Sequence, residues 1–325
     1  MKKLIFALVV AILSLTFAPS AARADAKAAR TDSLGIDAEY HVQIAPLAAP
    51  SESHAWGTVA LAWHEDTADG SNLHVGEWDL AAGRMVRSRL VRHEDVGVRI
   101  VNLVRTGTSL LVISGGITGS DCELTRLDAD LRIRDHLTLA SAWLPSLVAD
   151  DRFIAAGTFE TDGYHVRVID PSTFAVSTTR TLTFRHDVAP WPTAARSAHA
   201  LRLETGRLYV SLPDVDTRVV SLRLPTLATE ASITVPIPNE HRWPHSSVPL
   251  DPAAFPLGFE STYDGHVLLA PDLSSFRRTK ATLLPPWAPG EPGGDHIGER
   301  TIARAHARTV ITGVTKDKWV IAVSR

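Results

Sequence analysis

Six short segments gather the side chains that could do chemistry: SESHAW at 51–56, RHED at 92–95, ASAW at 140–143, RHDVAPW at 185–191, NEHRWPH at 239–245 and PPWAPGEPGGDHIGE at 285–299. Five of the six pair a histidine with an acid and five carry a tryptophan, so the pattern belongs to a recurring unit. Three kinds of chemistry suit it. Imidazoles and carboxylates can hydrogen-bond across neighbouring elements while indoles seal the gaps, a structural role that a repeated unit would repeat. Alternatively, Trp56, Trp143, Trp191, Trp243 and Trp287 offer stacking surfaces for a glycan, a peptide or a partner protein on one concave face. The third is a metal centre drawn from His93, His186, His241, His245 and His296 with Asp95, Asp187 or Asp295, a donor set for Zn or Fe that would acidify a bound water for hydrolysis or elimination.

No H-E-x-x-H or other close ligand pair fixes a metal geometry. His241 and His245 stand four apart, but Pro244 between them rules out the helix that would align them. There is no G-x-S-x-G elbow and no glycine-rich phosphate loop. Cys122 starts a strand with Arg126 as its cationic neighbour in sequence, so it reads as a small buried hydrophobe. The expectation is therefore a binding or scaffolding module that needs no cofactor. A metal-dependent hydrolase or lyase using the same face, with a divalent ion, is the alternative.

The elements that would position these segments are strands. Leu73 to Leu90, LHVGEWDLAAGRMVRSRL, alternates on either side of a turn at Asp79 to Gly83 and predicts a hairpin. The same shape returns from Cys122, Tyr164, Arg218 and His266, and a further copy begins at Lys318 where the chain ends. Upstream of the hairpins lie further strand pairs, such as 99–107 with 109–116 and 198–204 with 207–212. Each unit is thus a four-stranded meander a-b-c-d of roughly 40–55 residues, the length of a propeller blade. An aspartate marks each b-c turn, at Asp69, Asp121, Asp162, Asp216, Asp264 and Asp317, and counts six blades; a seventh would have to hide in the weakly periodic stretch 229–256. In a meander, b-c turns and d-to-a connectors share one face, which places all six chemical segments together.

Trp78-Asp79 at the end of a c strand, the b-c aspartates and the blade-length period resemble WD-repeat and related exported bacterial β-propellers. The resemblance implies an all-β architecture, a single propeller, and leaves function open. Ring closure is expected from Tyr40 to Leu47, an unpaired strand, lying against the terminal strand Trp319 to Ser324, which would leave no open edge.

The first 24 residues read as an export signal: Lys2 and Lys3, an apolar run from Leu4 to Ala18, and Ala22-Arg23-Ala24 as a small-x-small cleavage site. Residues 25–39 read as a linker and 40–325 as the propeller. Loss of Lys2, Lys3 and Arg23 takes the formal charge from −3 to −6, and with no basic block the chain excludes nucleic acid as a partner. A periplasmic or secreted monomer with no membrane span after cleavage is expected. The single cysteine forbids an internal disulfide, so stability must come from burial.

Overall fold

The structure, a computed structural model, describes residues 30–37, 42–46, 57–94, 99–116, 121–183, 200–212, 216–236, 247–249, 257–261, 265–279, 302–305, 308–315 and 318–324. Among them are six four-stranded antiparallel sheets and no helix. The first sheet runs β2 (Val42–Pro46), β3 (Thr58–Thr67), β4 (Gly70–Asp79), β5 (Arg84–Glu94), and the second β6 (Arg99–Thr106), β7 (Ser109–Gly116), β8 (Cys122–Leu127), β9 (Ile133–Leu139). The third is β10 (Trp143–Ala149), β11 (Ile154–Glu160), β12 (Gly163–Ile169), β13 (Val176–Leu182), and the fourth β14 (Ala200–Glu204), β15 (Arg207–Leu212), β16 (Thr217–Arg223), β17 (Ala228–Val235). The fifth holds β18 (Ser247–Pro249), β19 (Gly258–Ser261), β20 (Gly265–Leu269) and β21 (Phe276–Thr279). The sixth joins β22 (Ile302–Ala305), β23 (Arg308–Thr315) and β24 (Lys318–Val323) to the N-terminal β1 (Arg30–Asp37).

That last pairing corrects the expected closure. Val42–Pro46 pairs with β3 as the first strand of the first sheet. The strand against β24 is Arg30–Asp37, from the segment read as a linker, with Arg30 opposite Val323 and Ser33 opposite Val320. Its hydrophobic residues Leu34 and Ile36 are buried, but the single polar run around them hides the alternation. In the stretch 229–256, the described residues 229–235 finish β17 and Ser247–Pro249 opens the fifth sheet.

First strands of successive sheets lie side by side: β2 with β6, β6 with β10, β10 with β14, β14 with β18, and β22 with β2. The sheets consequently stack face to face, and their middle strands are covered on both faces. In β3, Val59 and Leu61 join a cluster with Trp319 and Ile321 of the sixth sheet, while Ala60 and Ala62 face Val101, Leu103 and Val112 of the second. Leu124 and Ile154 share the cluster between second and third sheets. Val166 and Leu208 share the next, between third and fourth. Tyr209 and Val267 do the same for fourth and fifth. Each fully buried Leu or Val of this kind contributes roughly 1.5–3 kcal/mol by leaving water.

The turn between third and fourth strands carries a repeated device. Leu131, Phe174, Leu227 and Leu273 have φ of 59°, 53°, 55° and 56° and are nevertheless buried, each in the cluster shared with the preceding sheet. Non-glycine residues rarely accept that conformation, and here it aims an apolar side chain into the wedge between sheets. The preceding aspartate shapes several of these turns: Asp128 Oδ1 accepts the amides of Asp130 and Arg132 at 2.9 and 2.8 Å, and Asp170 Oδ1 those of Ser172 and Thr173 at 2.7 and 3.0 Å. The previous sheet then reaches over to a carbonyl of the same turn. Arg30 donates to Ala81, Arg87 to Ala129, Arg126 to Pro171, Arg180 to Leu227 (3.0 Å) and Tyr209 to Pro271 (2.7 Å). Five consecutive sheet pairs are thus tied at one end.

Candidate functional site

The opposite end carries the b-c turns. Of the aspartates that mark them, Asp69, Asp121, Asp162 and Asp216 are described, and Asp264 and Asp317 lie outside the described residues. Their carboxylates serve neighbours as well as turns. Asp69 accepts from the Thr67 hydroxyl at 3.0 Å, Asp121 from the Ser141 amide at 2.8 Å, and Asp162 meets His165 Nε2 at 2.6 Å.

Most of the residues singled out by sequence, Trp56, Trp191, Trp243, Trp287, His186, His241, His245 and His296, lie outside the described residues, as do Asp95, Asp187 and Asp295. Trp143 is the first residue of β10, with its backbone opposite Phe159. His93 is the next-to-last residue of β5, exposed, with Nδ1 2.9 Å from Asn72 Oδ1 and Nε2 3.9 Å from Asp69.

The pairs of His74 and His136 with their acids sit on strands, which the reading of connectors missed. His74 is 3.1 Å from Glu65 and stacks on Trp63, with ring centroids 5.2 Å apart. His136 contacts Glu123, whose second neighbour Thr138 donates at 3.1 Å. Arg92 spans the first and second sheets, contacting Glu94 and Ser114 and standing 3.7 Å from Glu123, while Ser114 donates to Glu94 at 2.8 Å. Alternation explains the placement: Glu123 lies on the face of β8 opposite to buried Leu124, so it meets the upper part of the first-sheet wedge.

The third sheet holds the densest group. Glu160 ends β11, Thr161 and Asp162 turn the chain, and β12 returns with His165 opposite Thr158. Gly163 has φ of 153°, and a Cβ there would stand 2.9 Å from the Leu182 carbonyl, so the turn needs glycine. His165 Nδ1 is 3.4 Å from Glu160 Oε2, its Nε2 is 3.4 Å from the Thr181 hydroxyl, and Arg167 holds Glu160 Oε1 while donating to Thr158 at 2.7 Å. Among the described residues, Glu160, Asp162 and His165 form the group of carboxylate and imidazole donors whose atoms converge within 4.8 Å. The hydrogen bond from His165 holds the Asp162 carboxyl below the ordinary carboxylate range. A period-two run of polar residues beside a b-c turn, Glu160-x-Asp162 and His165-x-Arg167, is the sequence signal that marks this group.

Two nucleophiles are out of play. Burial pushes the Cys122 thiol up, well away from thiolate, and its Sγ donates to the Ala142 carbonyl at 3.2 Å. Ser71 Oγ lies 3.4 Å from His64 Nδ1, but both side chains are closed off from a substrate by burial.

No family model matches the chain, and no curated protein sequence matches it. Solved structures do resemble it. The Dos1 propeller superposes with a TM-score of 0.51 at 11% identity, over 86% of this chain and 67% of that one. A chain of the mitotic checkpoint complex matches at 0.48 and 11%, over 91% of each chain. BamB from Moraxella catarrhalis gives 0.39 at 14%, over 91% of this chain and 98% of its own. The likeness to the Dos1 propeller, with the stacked four-stranded sheets, makes this chain a β-propeller.

Proposed function

We propose that the chain is an exported, six-bladed β-propeller, closed through Arg30–Asp37, that works as a binding or scaffolding module on the face of its b-c turns and d-to-a connectors. Support for the closed ring comes from the cluster joining Leu34, Ile36 and Trp319 to Val59 and Trp78. The observation that carries the choice of face is the contrast between the two ends of the sheets. At the c-d end, the carboxylates of Asp128 and Asp170 are consumed by their own turns and the turn carbonyls are taken by arginines from the preceding sheet. At the b-c end, Asp69 and Asp162 are 81% and 65% exposed, leaving carboxylate oxygens to face a partner. The connector tryptophans Trp56, Trp191, Trp243 and Trp287 are the apolar anchors of that face in this reading, and the ligand is a protein. Export is supported by the N-terminal charged, apolar and small-residue regions; among the described residues no helix is long and apolar enough to cross a membrane.

Site-specific photocrosslinking in the native host tests the face. A crosslinking residue at Asp69, Asp121 or Asp162 is expected to yield a discrete adduct, and one at Ala82, Asp130 or Ser172 none. Adducts from the second set alone, or from neither, would overturn the assignment.

A further inference from the structure

We propose that the b-c hairpin of the third sheet is a divalent transition-metal site, with Zn(II) the fitting ion and Glu160, Asp162 and His165 as its ligands. Nothing in the partner-binding reading requires it. Two carboxylates and one imidazole, with donor atoms within 4.8 Å of one another, are the mixed oxygen and nitrogen set that borderline ions take. All three come from one eight-residue hairpin whose register, Glu160 opposite Gly163 and Thr158 opposite His165, is set by the backbone. A site on a rigid hairpin asks little reorganisation of the ion.

The ligands are also held as metal ligands are. The side chains of Glu160 and His165 are 17% and 12% exposed, so they form a fixed floor, while Asp162, 65% exposed, already lies 2.6 Å from His165 Nε2 and forms the solvent side of the site. Arg167 and the Thr158 hydroxyl, itself 3.3 Å from Glu160 Oε1, engage that oxygen and leave Oε2 turned toward the imidazole. The hydroxyl of Thr181 stands beside the ring. Such outer contacts orient first ligands and tune affinity. One guanidinium against two carboxylates leaves the pocket a negative charge for the cation, and water would complete the coordination.

The test is calorimetric titration of ZnCl2 into the chelator-stripped full-length chain, wild type beside His165→Asn and Asp162→Asn. Exposed Asp162 makes the second variant safe for folding, and equal melting temperatures without metal confirm it for both. The expected result is one equivalent bound by wild type, lost in His165→Asn and weakened about tenfold or more in Asp162→Asn. Absence of Zn binding, or wild-type isotherms in both variants because other histidines take the ion, overturns the site. A loss confined to His165→Asn overturns the three-ligand assignment.

Discussion

Replacing Leu131 probes how the wedge between first and second sheets is filled. Its side chain is 2% exposed among Leu73, Val75, Val101, Leu103 and Leu127, and its φ is 59°. Leu131→Ala deletes buried carbons and leaves a cavity, a loss of about 3 kcal/mol. In ordinary backbone Leu131→Gly would lose a further ~0.5–1 kcal/mol. At this φ the sign reverses, because an alanine Cβ keeps a left-handed penalty of roughly 1–2 kcal/mol that glycine escapes. Glycine at 131 is therefore expected to match or exceed alanine in stability. Leu124 in β8, fully buried in ordinary strand, is the control, where glycine should fall below alanine. Urea unfolding followed by tryptophan fluorescence, with equal m-values, reads both pairs. Alanine beating glycine at 131 by the same margin as at 124 would refute the strained-plug account.

Arg126→Met should cost about 2–3 kcal/mol, because that guanidinium bonds Asp135 at 2.6 Å, donates to the Pro171 carbonyl and lies 4.8 Å over the Phe174 ring; an unshifted urea midpoint would remove the inter-sheet tie. A chain starting at residue 40 loses β1 and uncovers Trp319 and Val323, so it should melt far below one starting at residue 25, and equal melting would return residues 25–39 to the role of linker. Asp128, Asp170 and Asp272 have carboxyls held below the ordinary range, Asp128 chiefly by the Arg132 amide and the other two chiefly by the hydroxyls of Ser172 and Ser274. A lowered folded value means the unfolded chain binds more protons, so this stability is fully present above the unfolded value of about 4 and is lost as pH falls from there through the lower folded value. Urea midpoints should hold from pH 7 to about 5 and decline below, and Asp170→Asn should flatten part of the decline; an identical profile would show that the turn carboxylates carry none of it.

The strands were legible because period-two alternation is a local property. Ser109–Gly116 and Arg207–Leu212 agree to the residue with the strands read from sequence, and the five c-d hairpins stand where their turns place them. Less was legible at the N terminus. Arg30–Asp37 becomes a strand through its pairing with β24, nearly three hundred residues away, and nothing within its own eight residues announces that partner. The b-c aspartates were found by their regular spacing, but their partners were not, since His165 approaches Asp162 only after the hairpin has closed.

Sequence alone determined most of the strands from residue 42 onward and the four-stranded meander as the repeated unit, because each depends on near neighbours and on alternation. Tertiary structure decided which strand completes the last sheet, that Leu131, Phe174, Leu227 and Leu273 point inward from strained turns, and that Glu160, Asp162 and His165 meet. Those outcomes depend on contacts between sheets or across a closed register, and a side chain's facing is set by what packs behind it.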